Sequence, residues 1–117
     1  MSIELTVFTA LQNHAGLTAL VGNRVYGNRA PDNPTRPYVT YFSASGVPQN
    51  DLSTDPQVDN NRVQVDCWAE NSYNDAKQIA AQCRLALAGI GLCVFTRDDY
   101  EQQTKLHRVQ LDFSVFG

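Results

Sequence analysis

The stretch NRVQVDCWAENSYNDAKQIAAQCRLALAG, residues 61 to 89, changes its hydrophobic period partway along, and that change constrains the fold more than any other feature of the chain. From Arg62 to Glu70 the side chains alternate. Val63, Val65, Cys67 and Ala69 fall on one side and Arg62, Gln64, Asp66, Trp68 and Glu70 on the other, the period of a half-buried strand. Beyond Glu70, apolar residues recur at three- and four-residue spacing, at Ala76, Ile79, Ala80, Cys83, Ala86, Leu87 and Ile90, which predicts a helix with one apolar stripe. Ser72 and Asp75 have N-cap spacing, and Gly89 is placed to close the helix in a left-handed cap. A helix over 72 to 88 would run about 25 Å at about 1.5 Å per residue. Its buried side chains are mostly small, so it needs a sheet beneath it to be stable.

The flanking segments supply that sheet. Ser2 caps a first helix carrying Ile3, Val7, Ala10, Leu11 and His14 on one face; Gly16 interrupts it, and Leu17, Leu20 and Val21 add a short second turn. Val25 to Gly27 reads as a brief edge strand. The segment NRAPDNPTRP, residues 28 to 37, holds three prolines and reads as a loop. Tyr38 to Ser45 is a strand with Val39 and Tyr41 on one face and Tyr38, Thr40 and Phe42 on the other. Leu92 to Arg97 is a further strand, after which Asp98 and Asp99 open a polar connection. In the last strand Val109, Leu111, Phe113 and Val115 alternate with Arg108, Gln110, Asp112 and Ser114. The expected fold is therefore α+β: an antiparallel or mixed β-sheet of about four main strands (38 to 45, 61 to 70, 92 to 98 and 105 to 116) with two helical segments packed on one face. Residues 1 to 117 form a single domain.

Chemistry is sparse. Nine basic and twelve acidic residues leave a net charge of -3, and the arginines are scattered, which argues against broad nucleic-acid binding by counterion release. The N-terminus lacks the features of a signal peptide and no apolar run is long enough for a membrane span, so a soluble protein made in the cytoplasm is expected. Cys67, Cys83 and Cys93 have neither zinc nor redox spacing and read as small, buried, reduced side chains on apolar stretches. Asp66 and Glu70 with Lys77 or Lys105 lack the acid-x-Lys pattern of a metal nuclease. Neither GxSxG, a phosphate-binding glycine loop nor HExxH occurs. No catalytic residue, cofactor site or metal ligand is assigned.

Interfaces are the better-supported reading. Residues 46 to 60, GVPQNDLSTDPQVDN, form a polar connection far longer than the roughly two to five residues of an ordinary hairpin loop. Asp51, Asp55 and Asp59 lack the turn glycine and closing glutamate of a calcium loop. The segment is read as an arm that orders against a neighbouring protein, with Gln49, Asp51, Leu52 and Asp55 as contact residues. Trp68, with Arg62 and Gln64 on the polar side of the central strand, marks a second interface; the alternative is that the indole packs on that loop or on the first helix.

Several pieces together resemble a known family: Val25-Tyr26-Gly27 before a proline-rich link, Arg36-Pro37-Tyr38-Val39-Thr40-Tyr41, and a strand-to-helix unit with Gln64, Asp66, Cys67, Trp68 and Ala69, then Tyr73, Ala76 and Leu87. The chain resembles the tail-completion and tail-terminator (head-tail joining) proteins of long-tailed bacteriophages and prophages. The resemblance implies a structural virion protein without a cofactor. It implies a homo-oligomeric ring, commonly a hexamer, at the head-proximal end of the tail tube, touching the tail tube protein and a neck or head-closure protein, with DNA only in transit and no membrane. The other readings are a head-closure or connector-adaptor component, a small metal-dependent nuclease, and a cytoplasmic binding module.

Overall fold

The computed structural model describes residues 3–28, 30–32, 34–43 and 62–115. Three helices and five strands follow in the order α1 (Ile3–Gln12), α2 (Ala15–Val21), β1 (Val25–Gly27), β2 (Tyr38–Ser43), β3 (Arg62–Ala69), α3 (Tyr73–Ala86), β4 (Gly91–Glu101) and β5 (Leu106–Val115). One sheet has the spatial order β1-β2-β3-β5-β4. β1 runs parallel to β2 and every other neighbouring pair is antiparallel, so the sheet is mixed. The α+β class stands, with one more strand and one more helix than the sequence pattern marks as principal elements.

The alternation in β3 does what its period requires. Val63, Val65 and Cys67 are fully buried and Ala69 nearly so. Across the sheet Cys67 stands opposite Val39 and Val109, and Val65 opposite Tyr41 and Leu111, giving continuous apolar rows on one face. Onto those rows α3 lays Ala76, Ile79, Ala80 and Cys83, while α1 and α2 add Val7, Leu11, Leu17 and Val21. Cys67 and Cys83 meet there with Sγ atoms 3.8 Å apart, free rather than bridged. The neighbouring Cys83 thiol and burial push the Cys67 thiol well above its ordinary value, so Cys67 stays a protonated core side chain. Cys93, expected to be buried like the other two, is only partly so, because it lies on the edge strand β4.

Local signals hold at the start of α3 and fail at its end. Ser72 Oγ accepts from the Asp75 N–H at 3.2 Å, the expected cap. Gly89, however, does not adopt a positive φ; the helix stops at Ala86, and Leu87 caps it with φ −99° and ψ 4°. The Leu87 carbonyl then accepts from the N–H groups of Ile90 and Gly91, a turn that leads straight into β4. A glycine is needed at 91 instead, where a Cβ would sit 2.8 Å from the Ser114 carbonyl oxygen.

Two further expectations are corrected. The break between the first two helices falls at Asn13 and His14, and Gly16 lies inside α2, leaving space for the Gln82 carboxamide. His14 therefore does not belong to the apolar face of α1; it stands at the N-cap position of α2, and its Nε2 donates to Gln82 Oε1 at 2.9 Å, tying α2 to α3. Asp98 and Asp99 do not open a connection either. They continue β4 because β5 supplies partners opposite them, Val109 and Arg108, and the turn comes at 102 to 105, with Lys105 at φ 59° and its N–H bonded to the Glu101 carbonyl.

Candidate functional site

Gln49, Asp51, Leu52 and Asp55, and with them the whole arm from 46 to 60, lie outside the described residues. Arg62, Gln64 and Trp68 are placed on the sheet face that points away from the helices. Arg62 is exposed at the start of β3, opposite Ser114, whereas Gln64 and Trp68 enter a connected network.

That network follows from register. Tyr38, Trp68 and Arg108 form one row across β2, β3 and β5, and Thr40, Asp66 and Gln110 form the next. Arg108 donates to Asp66 Oδ1 from Nε at 3.3 Å and from Nη2 at 3.2 Å. Gln64 Nε2 donates to both Asp66 oxygens at 3.1 Å. Arg108 Nη2 also donates to Gln110 Oε1 at 3.0 Å, and Gln110 Nε2 continues the chain to Asp112 at 3.5 Å. Asp66, on the polar side of β3, is thus only 5 % exposed. Burial raises its carboxyl above the ordinary value, and the Arg108 guanidinium and the Gln64 amide pull it partly back.

Trp68 is half-buried, and of the sequence readings only packing on the first helix is excluded, because the indole lies on the opposite face of the sheet. It lies neither bare nor against α1. Its Nε1 donates to Thr40 Oγ1 at 3.1 Å, its ring stacks on Tyr38 at 5.9 Å with an 18° interplanar angle, and the Arg108 guanidinium carbon stands 5.2 Å from its centroid. Beside it runs a groove of about 290 Å³ between the sheet and the proline-rich link, lined by Asn28, Pro31, Pro34, Phe42 and Trp68.

The second surface is one that the sequence reading missed. Among the described residues β4 pairs with β5 alone, so its other side is a sheet edge of 11 residues. Leu92, Val94, Phe95 and Tyr100 are 60 %, 47 %, 50 % and 46 % exposed, and Leu85 on α3 is 62 % exposed. A bulge between Cys93 and Phe95 shifts the register there. Between α3 and β4 lies a groove of about 660 Å³ lined by Ala81, Arg84, Leu85, Thr96, Asp98 and Leu111. The carboxylate of Asp98 raises the Tyr73 phenol above its ordinary value. The unbroken apolar run Leu92-Cys93-Val94-Phe95 is the signal that could have found this edge, since a strand covered on one face only should alternate.

Among the described residues, no arrangement of side chains suited to catalysis is found. Asp66, on which a nuclease reading depends, is held by Arg108 and Gln64, and among the described residues no three His, Cys, Asp or Glu side chains cluster to hold a metal ion. No described helix is long and apolar enough to cross a membrane.

Residues 6–116 match the family described as "Tail completion protein gp17". In structure the chain is similar to a chain of the virion of a native gene transfer agent particle, with a TM-score of 0.72 and 19 % identity, covering 99 % of this chain and 96 % of that one. It is also similar to the gp17 protein of bacteriophage SPP1, with a TM-score of 0.59 and 16 % identity over 97 % of this chain and 88 % of that one. No curated sequence matches. At such identities the likeness to the two structures is one of fold.

Proposed function

The chain belongs to the tail completion protein family, whose members are structural virion proteins and not enzymes, and from that premise we propose that it forms a ring at the head-proximal end of the phage tail tube, stops tube growth and joins the tail to the head. The observation that carries this reading is the β4 edge. An 11-residue edge strand with three large apolar side chains exposed along its first half is a surface that a monomer would normally blunt. A ring of identical subunits needs two different patches on each copy, meeting head to tail. β4 with α3 supplies one patch; the groove beside Trp68 and the arm at 46 to 60, with Gln49, Asp51, Leu52 and Asp55, supply material for the other.

The partners in this reading are further copies of the chain, as a hexamer, together with the tail tube protein on one side and a neck or head-closure protein on the other. The place is the tail-neck region of the virion, after synthesis in the host cytoplasm. The negative net charge suits a conduit that DNA crosses without adhering.

The test is electron microscopy of particles made when a stop codon replaces Gln12 in the encoding phage or prophage, with a complemented control. Filled heads beside unattached, overlong tails are the expected result. Detached tails of normal length with leaking heads would move the protein to head closure, and normal virions would overturn the structural role.

A further inference from the structure

The apolar end of β4 and the root of the arm lie at the same end of the sheet. β2 finishes at Ser43 and β3 begins at Arg62; Arg62 stands opposite Ser114 on β5, and Ser114 stands opposite Leu92 on β4. Two interstrand spacings of about 4.8 Å therefore put the arm's root about 10 Å from Leu92. Eighteen residues, 44 to 61, join Ser43 to Arg62, and nine of them extended reach about 30 Å. That exceeds what is needed to reach a neighbouring copy whose sheet stands alongside.

The chemistry of the two surfaces is complementary. Residues 44 to 61 carry Asp51, Asp55 and Asp59 with no Lys or Arg, and the seven residues Gln49 to Asp55 lie between Pro48 and Pro56 without a proline of their own. That is long enough to add to a strand edge by main-chain hydrogen bonds. On β4, Thr96 and Asp98 share the helix side with the groove, while Phe95 and Arg97 share the outer side with Asp112 and Gln110. A strand that turns Leu52 toward α3 turns Asp51 and Asp55 toward the side of Arg97. Arg84 adds a second cation on the groove wall. Toward the other end of β4, Asp98, Asp99 and Glu101 repel an acidic segment, so docking is confined to the first half of the strand.

We infer that residues 49 to 55 of one copy add as a strand to the Gly91–Arg97 edge of β4 in the next copy, with Leu52 seated in the groove beside Leu85. The inference rests on the ring reading. A rotation about an axis running along the strands keeps the arm of one copy and the groove of the next at the same height, so the contact repeats around a closed ring.

The experiment replaces Leu52 and Leu85 by cysteine in a Cys93→Ser background and oxidises the purified protein, and protein assembled on tails, with copper phenanthroline. Light scattering of the unmodified chain runs in parallel. The expected result is a ladder of dithiothreitol-reversible multimers up to the ring number, no ladder with either single cysteine, and loss of oligomers in Phe95→Asp with its melting temperature kept. A ring that forms without the ladder and survives Phe95→Asp overturns the inference and leaves the ring intact. A cross-link confined to single chains also overturns it, because the arm then serves its own groove. A chain that remains monomeric both free and on tails overturns the ring reading and this inference with it.

Discussion

The outer face of β2, β3 and β5 and the free edge of β4 look reversed when sequence and structure are set side by side. The outer face is made of polar residues around Trp68 that read as an interface, yet its Asp66 is buried and its Trp68 is stacked, hydrogen-bonded and covered by an arginine within the chain. The first half of β4 is made of Leu, Val and Phe, residues that read as core, yet these side chains are about half exposed. The difference lies in neighbours. A strand inside the sheet has two, so its polar side chains can satisfy one another across rows; an edge strand has one, and its apolar side chains are left open to solvent.

If that contrast is right, damage to the outer face should cost stability and damage to the edge should cost assembly. The largest loss of stability is expected from Trp68→Ala, about 3 kcal/mol by urea denaturation, since it removes a stack, a hydrogen bond and the cover of Arg108. A variant that melts normally but fails to assemble would put Trp68 back among pure interface residues. Asp66→Ala follows at about 2 kcal/mol, because it leaves Arg108 without its carboxylate in a setting only partly open to water. Trp68→Phe should cost about 1 kcal/mol, the value of the bond to Thr40. Phe95→Asp should change stability by no more than about 0.5 kcal/mol while abolishing assembly, read by light scattering and by tail joining. An unfolded Phe95→Asp protein would show that the edge is core after all.

The smallest effect is a pH dependence. The Asp66 carboxyl is raised in the folded chain, so folding favours its protonated form. Its contribution is complete below the ordinary carboxylate value and is lost as pH rises through the raised one. The stability of the native chain relative to Asp66→Asn should therefore be higher at pH 3 than at pH 7, and a reversed order in urea midpoints would show that Arg108 outweighs burial.

How far the sequence was legible depends on distance along the chain. The Ser72 cap and the strand periods of β3 and β5 are written in residues a few positions apart and were readable. The stop at Gly89 was misread because a tertiary turn, held by the Leu87 carbonyl and by the close approach of Gly91 to β5, ended the helix two residues sooner. The intrachain contacts of Trp68 were not legible for a similar reason: its partners Tyr38 and Arg108 lie 30 and 40 positions away.

By itself the sequence determined the α+β class, the apolar face that meets the helices, the absence of catalytic motifs and the family. Periodicity and caps are local physics, and a family's pattern lives in the order of residues. Only the tertiary structure decided that β5 lies between β3 and β4. That placement buries the Asp66 and Arg108 pair, closes the row over Trp68 and leaves β4 at the margin with Phe95 facing out. Strand order is settled by hydrogen bonds between segments far apart in the chain, and no window of neighbouring residues records which strand will be chosen as partner.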